Sequence, residues 1–384
     1  MKEPIQMDDI LLKVTELRNE LHEHPEISGH ETNTRRRLIQ FLQKNTQLEI
    51  VNMDRWFYVY QKGLVGNQTI ALRADHDAII NTQGQVFHGC GHDGHSAILA
   101  GVAMVIDKYP VKDNVMLIFQ HSEENGVGAK EIMNFLKDQS VDHIYGLHNF
   151  PGFETGELLL RANTFMCASM GMDIEFKGLQ THAGQPEKGI NPMYAIAKLA
   201  LMLEPLAQFN GFQSVIWEGH SFSNLVMTTI VSSSIGEMNN FGISPGRGKM
   251  QLTLRAATLD DLNQLYELIS EKVQLLASDY QMTYQIKTFD EFPDTTNSIQ
   301  EVEHLSKIFE LNQQKYSYLV EPFRPSEDFG WYLKQFSGSF FGIGSGLNVP
   351  PLHNDAYEFP DEIIHQAIKA FYHIVSYECE TIPS

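Results

Sequence analysis

The chain has 384 residues, and 48 acidic against 28 basic side chains give it a formal net charge of −20. That length suggests two domains at about 150 residues each, and 42% hydrophobic residues provide an ordinary globular core. The acidity argues against a nucleic-acid partner, which calls for a basic stripe, and against a polybasic membrane anchor.

Periodicity predicts an opening helix from Asp9, with Ile10, Leu11, Val14, Leu17 and Leu21 on one face, and a second helix over 35–43. Strands are expected at 48–52, 57–61 and 69–75. A helix at 95–108, a strand at 114–120, a helix at 129–138 and a strand at 143–148 follow. This alternation argues for an α/β layer with a largely parallel sheet, in which ligands sit at the carboxyl ends of the strands. Asp75, Asp77, Glu123, Glu124 and His148 fall at or just beyond those ends. The middle third changes rhythm: strand 170–177, helix 191–209, strands 224–232 and 249–258, helix 260–278, strand 282–290. The order β-α-β-β-α-β is that of a ferredoxin-like unit. A helix at 298–314, a strand at 339–344 and a helix at 361–377 then restore the first pattern. The expected organisation is a catalytic α/β domain in two parts, 1–168 and 291–384, split around an inserted α+β domain, 169–290.

Cys90, Cys167 and Cys379 are the only cysteines, too few for a disulfide framework in so long a chain. The N-terminal sequence lacks the pattern of a signal peptide, and the longest apolar stretch, 97–106, is far short of the ~20 residues of a membrane span. A reducing cytoplasm and no membrane partner are the expectation.

The densest chemistry is His88-Gly-Cys-Gly-His92-Asp-Gly-His95. Thiolate and imidazole are ligands of zinc and similar divalent ions. In an extended segment, Cys90 and His92 would point the same way. A lone Cys-x-His would read as a Gly-rich helix start with a buried cysteine and surface histidines, but three His, one Cys and one Asp within eight residues favour a metal. In His121-Ser-Glu-Glu124, a carboxylate pair after a buried-type strand is able to divide labour, one acid ligating and the other moving a proton. The plain alternative is a solvated acid pair. His148 alone would be a strand-end histidine, and His353, in Pro350-Pro-Leu-His-Asn-Asp355, a loop histidine. Asp75-His-Asp77 closes a strand and offers an acid to orient a metal-ligating imidazole, or caps a helix.

Together these segments resemble the aminoacylase/carboxypeptidase family of two-metal peptidases, in its amidohydrolase branch of aminoacylase-like, hippurate-hydrolase-like and N-acetyldiaminopimelate-deacetylase-like enzymes. The likeness runs through Leu17-Arg-Asn-Glu-Leu-His-Glu-His-Pro-Glu26, Leu72-Arg-Ala-Asp-His-Asp-Ala78, His88–His95 and Phe119-Gln-His-Ser-Glu-Glu124. It continues through Gly146-Leu-His-Asn-Phe-Pro151, Gly178-Leu-Gln-Thr-His-Ala183, Ser326-Glu-Asp-Phe329 and Leu352-His-Asn354. The resemblance implies a zinc-peptidase-like catalytic domain with a ferredoxin-like lid, and a homodimer formed through the lid. It implies two adjacent divalent ions (zinc, manganese, cobalt or nickel) held by Cys90, His92, Glu124, His148 and His353, with Glu123 as general base. His182 is placed to hydrogen-bond the tetrahedral oxyanion; without the resemblance it would be a surface histidine. Arg255 is a candidate to grip a substrate carboxylate, or simply a solvated strand charge.

The chain departs from the family at His76, where Met is usual, at Ile80 and Asp355, where proline is usual, and at Gly89, often Ala. None removes a ligand. Gly246-Arg-Gly-Lys249 fails as a phosphate loop and Gly342-Ile-Gly-Ser-Gly346 as a dinucleotide fingerprint. The expected activity is hydrolysis of N-acyl amino acids or similar small N-acyl amines. The alternative is a metallo-carboxypeptidase or dipeptidase. A different class, a non-catalytic metal- or ligand-binding protein on a hydrolase scaffold, is disfavoured by the retention of Glu123.

Overall fold

The computed structural model describes residues 7–377; Cys379 and the first six residues lie outside that range. Helix α1 (Asp8–His22) buries Ile10, Val14, Leu17 and Leu21 at helical spacing and has Asp8 and Asp9 in its first turn, where acids suit the helix dipole. Helix α2 (Thr32–Asn45) precedes strands β1 (Glu49–Met53), β2 (Trp56–Gln61) and β3 (Thr69–Asp75). Helix α3 (His92–Lys108) is buried from His92 through Ile106, as befits an apolar helix packed on all sides. Then come β4 (Asn114–Gln120), α4 (Gly128–Asp138), β5 (His143–Pro151) and β6 (Leu158–Leu160).

The chain next enters a second compact unit, 166–294 together with 323–327. Its strands β7 (Ala168–Lys177), β8 (Val226–Ile235), β9 (Arg247–Ala256) and β10 (Thr283–Phe292) form an antiparallel sheet in the order β8-β9-β7-β10. With α5 (Met193–Leu203) and α6 (Leu259–Asp279) this is the split β-α-β topology. Met172, Ile174, Leu252 and Leu254 meet Leu199, Leu265 and Ile269 in one core. The short return 323–327 belongs to this unit because the Cys167 N–H donates to the Phe323 carbonyl at 3.1 Å and lies 3.2 Å from that of Pro325. These loop residues lack any helical or strand periodicity that would have announced the contact.

The first unit resumes with α7 (Ile299–Leu311), β11 (Tyr316–Tyr318), β12 (Ser337–Gly346) and α8 (Ile364–Ser376). Its eight-stranded sheet runs β1-β2-β4-β3-β5-β12-β6-β11. The four central strands β4, β3, β5 and β12 are parallel, whereas β1, β2 and β6 run antiparallel to their inner neighbours. Helices α1, α3, α7 and α8 share one hydrophobic core with the sheet. No described helix is long and apolar enough to cross a membrane.

Two boundaries differ from the periodic reading in ways that shape the site. Helix α3 starts at His92 rather than three residues later, because the polar first turn hid it from a hydrophobic pattern. Strand β5 continues past His148 to Pro151, so His148 lies within a strand paired to β12 rather than at its end.

Candidate metal centre

Parallel register places Asp75 of β3 beside Gln120 of β4 and His148 of β5 beside Gly342 of β12. The site therefore forms where the carboxyl ends of the central strands meet the start of α3. Cys90 and His92 do not share an extended segment. Gly91 between them adopts a left-handed conformation, φ 90°, and a Cβ there would meet Asn149 Oδ1 at 2.6 Å. Gly94 is pressed so closely on Phe359 that a Cβ would lie 2.3 Å from the ring. Both glycines serve a tight helix start that turns Cys90 and His92 toward one point.

Around that point lie overlapping groups whose ligand atoms are all within 4.8 Å of one another: Cys90 with His92 and His148, Cys90 with Glu124 and His353, and His92 with Glu123 and Glu124. Cys90 belongs to two of them. Its Sγ is 3.4 Å from His148 Nε2, while His148 Nδ1 donates to the Asn149 carbonyl at 2.8 Å. That bond leaves Nε2 with its lone pair toward the thiol. His92 is held the same way, Nδ1 donating to Asp77 Oδ1 at 2.9 Å. Asp77 Oδ2 in turn accepts from the Glu124 backbone N–H at 2.9 Å, so one carboxylate orients two of the donors. His353 arrives from the far end of the unit, its Nε2 3.6 Å from Glu124 Oε1. Its backbone N–H donates to the Gly89 carbonyl at 2.8 Å.

The donor set fits a metal. His92 Nε2 and Glu124 Oε1 are buried without a hydrogen-bond partner among the described residues, a costly condition that a cation relieves. Burial opposes a charged imidazole at His92, but Asp75, Asp77 and Glu124 outweigh it and lift its pKa to about 10. The site thus calls for positive charge at this nitrogen, from a proton or a metal ion. Burial, reinforced by Glu124, Glu123 and Asp75, pushes the Cys90 thiol well up, so thiolate formation needs a compensating cation. Burial, with His95 and His92 nearby, drives His148 well below the usual histidine range and keeps it a neutral ligand.

Glu123 is buried, and the Asp328 backbone N–H reaches its Oε1 at 3.3 Å. Beneath it runs a network that sequence reading missed. Fully buried Arg73 donates to Asp75 Oδ2 at 2.6 Å, Asp328 Oδ1 at 2.7 Å and Gln120 Oε1 at 2.9 Å. Asp75 Oδ1 accepts from His95 Nδ1 at 2.7 Å. The signal was present, an arginine inside the apolar strand run 69–75. Despite burial, the nearby His92, Arg73 and His95 hold the Asp75 carboxyl well below its usual range. His76 adds no charge. Burial pushes its pKa down to about 3, and neither ring nitrogen has a hydrogen-bond partner among the described residues.

His182 and Arg255 lie in the second unit. His182 is exposed on the short strand Thr181–His182, and its Nδ1 accepts from the Gly184 N–H at 3.0 Å. Arg255 of β9 donates to the Arg324 carbonyl at 2.5 Å and to Ser326 Oγ at 2.7 Å.

Residues 71–377 match the family described as Peptidase family M20/M25/M40. The chain belongs to this family. It is 25% identical over 386 residues to an N-acetylcysteine deacetylase of Bacillus subtilis, covering 96% of this chain and 98% of that one. It is 28% identical over 386 residues to an N-acetyldiaminopimelate deacetylase of Listeria monocytogenes, covering 94% and 97%. A solved structure from Bacillus subtilis, described as a dinuclear metal binding peptidase from the M20 family, superposes with a TM-score of 0.79 at 23% identity, covering 97% and 99%. The M20 fold is thus that of a mostly parallel α/β unit with an inserted α+β unit.

Proposed function

We propose that this M20 protein is a metal-dependent amidohydrolase that cleaves the amide bond of N-acyl amino acids or related small N-acyl amines. The observation that carries this reading is the convergence of Cys90, His92, Glu124, His148 and His353, with Glu123 beside them and orphaned acceptors facing inward. In it, Cys90, His92, Glu124, His148 and His353 would hold two divalent ions drawn from zinc, manganese, cobalt or nickel, and the single thiolate favours the softer of these over magnesium or calcium. When bound, the ions acidify the attacking water and polarise the scissile carbonyl.

The chain's own residues do the rest. Asp77 fixes the His92 tautomer and, through the Glu124 N–H, the position of the adjoining acid. Glu123 accepts the proton of the attacking water and returns it to the leaving amine nitrogen. The Asp328 N–H holds the Glu123 carboxylate in place. His182 donates to the oxyanion, and Arg255 receives a substrate carboxylate. The protein acts as a homodimer through its lid, in a cytoplasm reducing enough to keep Cys90 a free ligand. Deacetylation of N-acetyl amino acids by the relatives supports the substrate class.

The test is Glu123→Gln in protein loaded with zinc or manganese and assayed on N-acetyl amino acids and on dipeptides. Turnover of N-acetyl substrates falls on the order of 10²–10⁴-fold while metal content stays at the wild-type level. Unchanged turnover refutes the base. Turnover of dipeptides alone replaces the amidohydrolase reading with a peptidase, and no turnover of either by wild type leaves a binding protein.

A further inference from the structure

His353 differs from the other four donors in how it is held. Cys90, His92 and His148 are buried and Glu124 nearly so, whereas 55% of the His353 side chain is exposed. Core packing therefore does not place it. Its backbone is left-handed, φ 65°, a conformation that a non-glycine residue keeps only when its surroundings impose it.

The His353 N–H bond to the Gly89 carbonyl and two turns impose it. The His353 loop is closed by Asn354 N–H to the Pro351 carbonyl at 3.2 Å, Ala356 N–H to Asn354 Oδ1 at 2.9 Å and Tyr357 N–H to the Asn354 carbonyl at 2.8 Å. Facing it is the tip of a hairpin between Ile79–Ile80 and Val86–Phe87. That tip is closed by Asn81, whose Oδ1 accepts from the Gln83 and Gln85 N–H groups at 3.0 and 2.8 Å. The hairpin leaves the chain just after Asp77 and returns it just before Cys90. Asp355 joins the turns: its carboxylate accepts from the Thr82 N–H at 3.2 Å and from the Thr82 hydroxyl, across 273 positions of sequence.

We infer that Asp355 is a positioning residue for the metal centre, clasping Thr82 so that the loop holds His353 against Glu124 and completes the second ion's donor set. The inference rests on the reading of His353 as a ligand. A charged acceptor taking two donors makes a stronger tie than a neutral contact, and outer contacts of this kind set ligand geometry and metal affinity.

The test uses the full chain stripped of metal and titrated with zinc, affinities being read by competition with a chromophoric chelator. Asp355→Asn weakens the second zinc about tenfold and leaves the first unchanged. Thr82→Val, which removes only the hydroxyl, weakens it less. The double variant is no worse than Asp355→Asn alone, because both changes break one clasp. Asp355→Glu recovers part of the loss. In a His353→Ala background, Asp355→Asn has no further effect on zinc affinity. A lower melting temperature of the metal-free protein with an unchanged second zinc affinity overturns the inference, since it reduces the clasp to a surface contact. Unaltered zinc binding in His353→Ala overturns the ligand reading itself.

Discussion

The two units solve the problem of burial in opposite ways. In the second unit, β9 alternates exposed and buried residues along its length, and its inward side chains Met250, Leu252 and Leu254 are apolar. Its buried Asp261 and Asp294 sit at the start of α6, where Asp261 Oδ2 accepts from the Ser223 hydroxyl at 2.7 Å and Asp294 Oδ1 from the Leu259 N–H at 2.8 Å. In the first unit, β3 is buried on both faces and takes Arg73 and Asp75 into the interior. A strand that carries chemistry at its carboxyl end thus gives up apolar contacts for a hydrogen-bonded charge network, and its stability depends on the network being complete. The lesson is that stability and metal binding are coupled in one unit and separable in the other.

Arg73→Met tests that coupling most severely. It strands Asp75 and Asp328 without their cation, so unfolding free energy falls by about 3–5 kcal/mol and zinc affinity falls with it. Arg73→Lys does not restore either, because one ammonium cannot span three acceptors in the guanidinium's plane. Denaturant titration and zinc titration of the same variants check both halves, and a loss below about 1 kcal/mol breaks the comparison. Ile269→Val in α6, fully buried in the other core, is the counterpart. It costs about 1 kcal/mol and leaves zinc affinity at the wild-type value; a change in affinity would join what the comparison separates. The smallest effect belongs to the rim of the first unit, where His143 Nδ1 donates to Glu301 Oε1 at 3.1 Å. The Glu301 hydrogen bond raises the His143 pKa against partial burial. A raised basic group stabilises most below its unfolded value near 6.5 and loses that contribution as pH climbs through the folded one. His143→Gln therefore removes about 0.5 kcal/mol at pH 6 and less at pH 9, measurable as the difference in denaturation midpoints.

Much of this was readable in the chain. Strands 69–75 and 114–120 come out with the boundaries that periodicity gives them, because an apolar run bounded by polar residues leaves little choice of ends. The β-α-β-β-α-β order of the second unit follows from the same regularity. The ligand types were legible from the density of His, Cys and Glu at strand ends. Their convergence came from the family resemblance and not from spacing, since it depends on Gly91 turning left-handed and on the loop of His353 reaching back to Gly89. Arg73, Gln120 and Asp328 escaped notice for a different reason. Each looks ordinary alone, and only the parallel register of β3 with β4 and the return of the chain at Asp328 make them neighbours. Short strands such as Leu158–Leu160 and Tyr316–Tyr318 carry too few residues to show a period.

The register that sets His148 beside Gly342 has an implication for biogenesis. Strand β12 and the loop that follows it are among the last parts of the sheet to be synthesised, yet they flank the first strands to bear ligands. On the proposed assignment, four donors precede the inserted unit in the chain and the fifth, His353, follows it, so the donor set is complete only after the whole inserted unit has been made.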